Sequence, residues 1–143
     1  MQAAWLLSGL WRPAHGRDGW SVPVRQWGVG LSDRAALAVR CTSPLLAPVL
    51  RIVHRVIGTF LIQQAGLKRT EAQTGAVTLI QRFGSAANLN IHLHCLVLDG
   101  VYRITAGLPV FHAVRAPTAG ELQVLLTRII KRLMNRMHRD VQL

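Results

Sequence analysis

The stretch Asn90-Ile91-His92-Leu93-His94-Cys95-Leu96-Val97-Leu98 constrains the fold of this chain more than any other. It is short, rich in β-formers and bounded on its far side by Asp99-Gly100, so it reads as a strand whose side chains alternate between two faces. Ile91, Leu93, Cys95 and Val97 share one face and demand a core. Asn90, His92 and His94 share the other, with Leu96 and Leu98 farther along. Two imidazoles two residues apart on a rigid strand project side by side and can share one divalent ion. On spacing alone the plainer alternative, two hydrogen-bonded or solvated histidines on an open sheet face, is the commoner case.

The rest of the chain supplies what must cover that apolar face. The spacing predicts a helix opened by Ser43 as N-cap and Pro44 at its first position, with Leu46, Val49, Leu50, Val53, Ile57, Phe60 and Leu61 as its stripe and Gly66 as its stop. Arg51 and Arg55 lie on the other side, and His54 beside them reads as a solvated surface residue. A second helix begins at the capping box Thr118-Ala119-Gly120-Glu121 and runs to about His138, with Leu122, Leu126, Ile129, Leu133 and Met137 as its stripe. Between the helices, residues 76–83 read as a strand, 84–88 as a loop, and Asp99-Gly100 as a two-residue hairpin returning along residues 101–105. A short strand is expected at 110–114. Residues 22–42 suggest a strand at 24–29 and a helical turn at 33–40. Residues 1–21 show no sustained period and are expected to be poorly structured. The fold class is therefore α+β, a mostly antiparallel sheet with helices packed on one face.

Charge narrows the partner. The 143 residues carry 17 Lys and Arg against 6 Asp and Glu, a formal net charge of +11. Lysine occurs only at Lys68 and Lys131, among fifteen arginines, and the guanidinium fork suits phosphate. Nucleic acid or an anionic surface is the expected partner class, with an inert basic surface as the alternative. On the last helix Arg128, Lys131, Arg132 and Arg136 gather toward the C-terminal end, either as a solvated face or as a phosphate-tracking surface. The longest apolar stretches, such as Val56–Leu67, fall short of a membrane span, and the first residues lack the basic start of a signal peptide. Cys41 and Cys95 are too few and too far apart for a zinc ribbon, and Cys95 reads as a buried thiol. A reducing cytoplasm is the expected compartment.

Thr74-Gly75-Ala76-Val77-Thr78-Leu79-Ile80-Gln81-Arg82-Phe83-Gly84-Ser85-Ala86-Ala87-Asn88-Leu89-Asn90-Ile91-His92-Leu93-His94, followed by Asp99-Gly100-Val101-Tyr102, closely resembles the core of rolling-circle insertion-sequence transposases of the His-hydrophobic-His endonuclease superfamily. Pro23-Val24-Arg25-Gln26-Trp27, the helix through Leu61, and Ala116-Pro117-Thr118 also look like that family, so the resemblance spans about residues 22–138. Its length around the histidine pair reverses the preference for two solvated imidazoles. Residues 22–143 are thus expected to form a partial transposase catalytic core, preceded by a non-family segment at 1–21.

The resemblance implies metal-dependent nicking of single-stranded DNA and strand transfer, with Mg or Mn polarising the scissile phosphate. It places His92 and His94 as metal ligands and suggests Gln81 as the third. Strand parity leaves that third position open, because Gln81 shares a face with Val77, Leu79 and Phe83, which read as buried, and Arg82 is the alternative open-face residue. Arg82, Arg103, Arg128, Lys131, Arg132 and Arg136 are the candidate DNA contacts. The family's nucleophilic tyrosines lie on a helix farther downstream. Here Tyr102 is the sole tyrosine, and hairpin register would pair it with Val97, on the face opposite the histidines, as a packing residue. No catalytic residue is assigned. The family's Cys-rich zinc domain is not supplied by Cys41 or Cys95. The expected identity is a transposase truncated at both ends that binds single-stranded DNA at transposon ends. Its alternative is a non-catalytic DNA-binding or regulatory remnant, acting on a full-length transposase, or a pseudogene product.

Overall fold

The computed structural model describes residues 7–15, 21–31, 45–83 and 89–141. The expected turn at 33–40, the Ser43 cap with Pro44, and the 84–88 loop lie outside the described residues. The chain runs β1 (Leu7–His15), β2 (Ser21–Gly30), α1 (Leu46–Gln64), β3 (Ala72–Gln73), β4 (Ala76–Phe83), β5 (Leu89–Leu98), β6 (Gly100–Arg103), β7 (Val110–Ala113) and α2 (Ala119–Val141). Among the described residues these strands form two antiparallel sheets, one ordered β1-β2-β5-β4 and the other β3-β6-β7. The fold is α+β.

Alternation in β5 decides which way the larger sheet faces. Ile91, Leu93, Cys95 and Val97 are buried, Leu93 and Cys95 completely, whereas His92, His94 and Leu98 are half-buried and Leu96 is exposed. The β2 register sets Arg25, Trp27 and Val29 opposite Val97, Cys95 and Leu93, so β2 adds to the same apolar face. Helix α1 closes over it with Val49, Val53, Val56, Ile57, Phe60 and Leu61, and the Phe60 ring meets Trp27 edge-on at 6.5 Å between centroids. Each such large side chain taken from water contributes roughly 1.5–3 kcal/mol. By length and composition α1 is also apolar enough to cross a membrane. Its apolar face lies in this core instead.

The helix ends follow local chemistry. Helix α1 ends in a Schellman motif: Leu67 N–H donates to Ile62 O, Gly66 N–H donates to Gln63 O, and Gly66 sits at φ +70°, the left-handed conformation that glycine adopts without a Cβ clash. Its N-cap is Leu45, with no side-chain cap. Helix α2 opens with the expected capping box, Glu121 N–H donating to Thr118 Oγ1 and Thr118 N–H to Glu121 Oε2. Its core contacts are Leu125, Ile129 and Leu133. Leu125, absent from the expected stripe, is the most deeply set after Ile129, because the helix leans on both the sheet and α1.

The capping carboxylate has a pH consequence. The Arg115 guanidinium, bonded at 2.7 and 2.9 Å, and then the Thr118 N–H hold Glu121 down at about 2. A carboxylate depressed by folding contributes fully above its ordinary range, near 4.5, and the contribution is lost as pH falls toward 2. Fraying of the first turn of α2 is therefore expected on acidification across that window, read by far-UV circular dichroism. Glu121→Gln should show less helix at neutral pH and a flatter acid titration.

Two expectations are corrected. Residues 1–21 contain β1, paired residue for residue with β2 from Leu7↔Val29 to His15↔Ser21. Backbone pairing to a neighbouring strand supplies the order that side-chain periodicity does not. Pro13 is accommodated because β1 is an edge strand, and it faces Pro23, which also lacks a donor. The Asp99-Gly100 hairpin does not form. β5 belongs to the larger sheet, and β6 leaves it to pair with β3 and β7, Tyr102 opposing Gln73 and Phe111. Gly66 is the one described glycine with positive φ, so the type I′ geometry is absent at residue 100. Asp99 is instead drawn inward: its carboxylate takes two hydrogen bonds from Arg25, and its N–H donates to Pro23 O.

Candidate metal centre

The open face of the larger sheet carries the histidines. Strand register places Gln81 directly opposite His92, and Leu79 opposite His94, on one side. On the other side Gly30 opposes His92 and Gly28 opposes His94. Directly opposed residues of antiparallel strands share a face, so Gln81, His92 and His94 project together. The reading of Val77 and Leu79 as buried is overturned: they are 63% and 59% exposed. The reason is register. Thr78 of β4 opposes the buried Cys95 and faces the core beside it, so the odd-numbered residues of β4 are left on the open side with the histidines.

The histidine rings lie 6.3 Å apart, centroid to centroid, and 26° from parallel. His94 is held at both nitrogens, Nε2 by Gln81 Oε1 at 2.9 Å and Nδ1 by the Gln26 amide at 3.1 Å. Fixing one ring nitrogen fixes the role of the other. His92 lies over Gly30, where a Cβ would stand 3.3 Å from its Cε1. A side chain at residue 30 would crowd that ring, so the glycine provides its seat.

Gln81, His92 and His94 are the donors this face could offer a divalent ion. The 2.9 Å between His94 Nε2 and Gln81 Oε1 is an N–H···O hydrogen bond, and the Gln26 amide, donating to Nδ1, leaves the ring proton on Nε2. Ligation through Nε2 would require that proton to leave and the Gln81 oxygen to turn to the ion. Among the described residues no three His, Cys, Asp or Glu side chains cluster, so the set is two imidazoles and one neutral amide oxygen. Such a set brings no negative charge of its own.

The other candidates are dispersed. Arg82 is exposed, one residue past Gln81, and Arg103 is exposed in β6 of the other sheet. Arg128 and Lys131 are exposed on α2, while Arg132 and Arg136 line a cleft between α1 and α2. The helices pack on the face opposite the histidines, so none of these α2 cations joins the imidazole pair. Tyr102 is half-buried, with its ring edge-on to Phe111 at 5.2 Å. It lies in the smaller sheet, opposite Gln73 and Phe111 and not opposite Val97 as the hairpin register suggested. His54 is not a solvated residue. It is half-buried, and its Nε2 meets Thr78 Oγ1 at 2.6 Å, while that hydroxyl donates to Cys95 Sγ. Burial holds its imidazole below the usual range and pushes the Cys95 thiol up. Sequence reading missed Gln26 and Gly30. The available signal was the alternation Gln26-Trp27-Gly28-Val29-Gly30, with small or polar residues at every second position.

Residues 75–143 match the model of a family described as "Putative transposase". The match supports a transposase. It covers just under half of the chain, from the start of β4 through α2, and includes His92, His94 and Gln81. No curated protein and no solved structure matches the chain.

Proposed function

We propose that this transposase-like chain carries the metal-binding core of a single-strand DNA nickase of the His-hydrophobic-His type, with His92, His94 and Gln81 holding Mg or Mn. The carrying observation is the strand register that sets Gln81 opposite His92 and brings Gln81, His92 and His94 to one open sheet face. When bound, the ion would draw charge from a phosphodiester and make its phosphorus more electrophilic. The chain's own part is positional. Gln26 orients the His94 ring through Nδ1, Gly30 leaves room for His92, and the flat face with exposed Leu79 and Val77 admits an unpaired strand. Transposon-end DNA and a cytoplasmic setting belong to this reading.

The test is calorimetric titration of Mn into the protein and into His92→Ala/His94→Ala. Wild-type binding is expected, with loss of measurable uptake in the double variant and at least about tenfold weakening in Gln81→Ala. Equal uptake by wild type and double variant would discard the site. Incubation with a labelled oligonucleotide is expected to give no covalent adduct from residues 1–143. An adduct would reject the assignment of Tyr102 to packing.

A further inference from the structure

Away from the histidines, the outer surfaces of the two helices form an open cleft of about 610 Å³. Six arginines line it: Arg51 and Arg55 from α1, Arg69 just past that helix, and Arg132, Arg136 and Arg139 from α2. All six are exposed. Among the described residues no acidic side chain lines the cleft, and the rest of the wall is Pro48, Ile52, Thr59 and Asn135.

The arrangement follows from helix geometry. Arg51 and Arg55 are four residues apart, as are Arg132 and Arg136, with Arg139 three residues farther. Each helix therefore presents its guanidinia in a row spaced about 6 Å along the axis. Two such rows face each other across a groove, where like charges repel. Helices that only needed solubility would mix signs there. The apolar stripes of both helices point to the opposite side, into the core, so the arginine rows are not a by-product of core packing.

We propose that this cleft is a second nucleic-acid contact, taking the phosphodiester backbone of double-stranded DNA on the face opposite the metal-binding histidines. The proposal rests on the reading of the chain as a DNA-acting protein, not on the metal site itself. A polyanion is favoured over a single small anion because the cations form extended rows and not one pocket. A backbone contact is favoured over base recognition because no aromatic ring lines the cleft for stacking, and guanidinium forks match phosphate oxygens. The sheet face would then hold the strand to be cut while the helix layer holds flanking duplex, so one domain engages both sides of a junction.

The experiment is fluorescence anisotropy with a labelled duplex oligonucleotide, in EDTA, across a salt series. EDTA removes any metal-dependent contribution from the histidine face, so failure here and failure of Mn binding are separate results. Each lost phosphate contact lowers the slope of log affinity against log salt by about 0.9 on duplex DNA. Arg51→Gln/Arg55→Gln and Arg132→Gln/Arg136→Gln should each lower it by about 2, although they lie on different helices. Arg128→Gln/Lys131→Gln, on α2 but outside the cleft, should lower it by less than 1. Equal drops for all three pairs would mean diffuse charge and overturn the proposal, as would a wild-type slope in either cleft pair. Sedimentation with phosphatidylglycerol vesicles forms a parallel arm. Arginine-dependent vesicle binding without duplex binding would assign the cleft to a lipid headgroup and also overturn it. Circular dichroism of each variant checks that the exposed substitutions leave the fold intact.

Discussion

Asp99→Ala is expected to destabilise the protein by about 3–5 kcal/mol, the usual cost of leaving one member of a buried ion pair without its partner. Arg25 reaches Asp99 in a fork, Nε to Oδ1 at 2.8 Å and Nη2 to Oδ2 at 2.6 Å, and the two side chains are only 9% and 7% exposed. Alanine at residue 99 would strand the guanidinium within the apolar layer of β2. The same residue joins three elements through its backbone, donating to Pro23 O at 2.8 Å and accepting from Val114 N–H at 3.0 Å. The lost charge thus acts where the chain passes from one sheet to the other. Urea denaturation at neutral pH measures the effect. Arg25→Met/Asp99→Leu should recover much of the loss, since apolar side chains of similar size often replace a buried pair at little cost. A loss below about 1 kcal/mol in Asp99→Ala would show that the pair does not hold the two sheets together.

Gly100→Ala, one residue on, is expected to cost about 3 kcal/mol or more, at the upper end for overpacking. A methyl group there would collide with the carbonyl oxygen of His112 and stand 2.7 Å from Phe111 Cζ and 3.0 Å from the Cα of Ala113. Two of these three atoms are backbone of the paired strand β7, which cannot rotate aside. The glycine is required for close approach of β6 and β7. Gly120→Ala is the control: nothing lies within 4 Å of a Cβ at that helical position, so stability should rise by up to about 1 kcal/mol. Thermal melts of both variants separate the two outcomes, and a Gly100→Ala protein as stable as the wild type would show that β7 does not pack as described.

These two residues also show how far local sequence carries. Asp99-Gly100 has the composition of a tight hairpin, and local preference alone favours one. The alternative wins because Arg25, 74 positions away, offers the Asp99 carboxylate a buried partner, and because β3 and β7 offer β6 two edges to pair with. Neither partner is visible from residues 98–101. The same limit applies to Gln81. Its parity with Val77 and Leu79 was legible, but whether that face looked inward depended on the register of β4 against β5, which sets Thr78 opposite the buried Cys95.

Periodicity written within single segments was sufficient for the two helices, their capping box and glycine stop, the strands at 76–83 and 89–98, and the separation of His92 and His94 from Leu93 and Cys95. These depend on backbone geometry repeating over a few residues, and on apolar groups leaving water together. The position of Gln81 beside His94, the seat that Gly30 provides, the division into two sheets and the meeting of two arginine rows across α1 and α2 came only with the assembled fold. Each requires residues far apart in the chain to be neighbours, and a pairing between distant segments is settled by their joint packing, which no segment encodes alone.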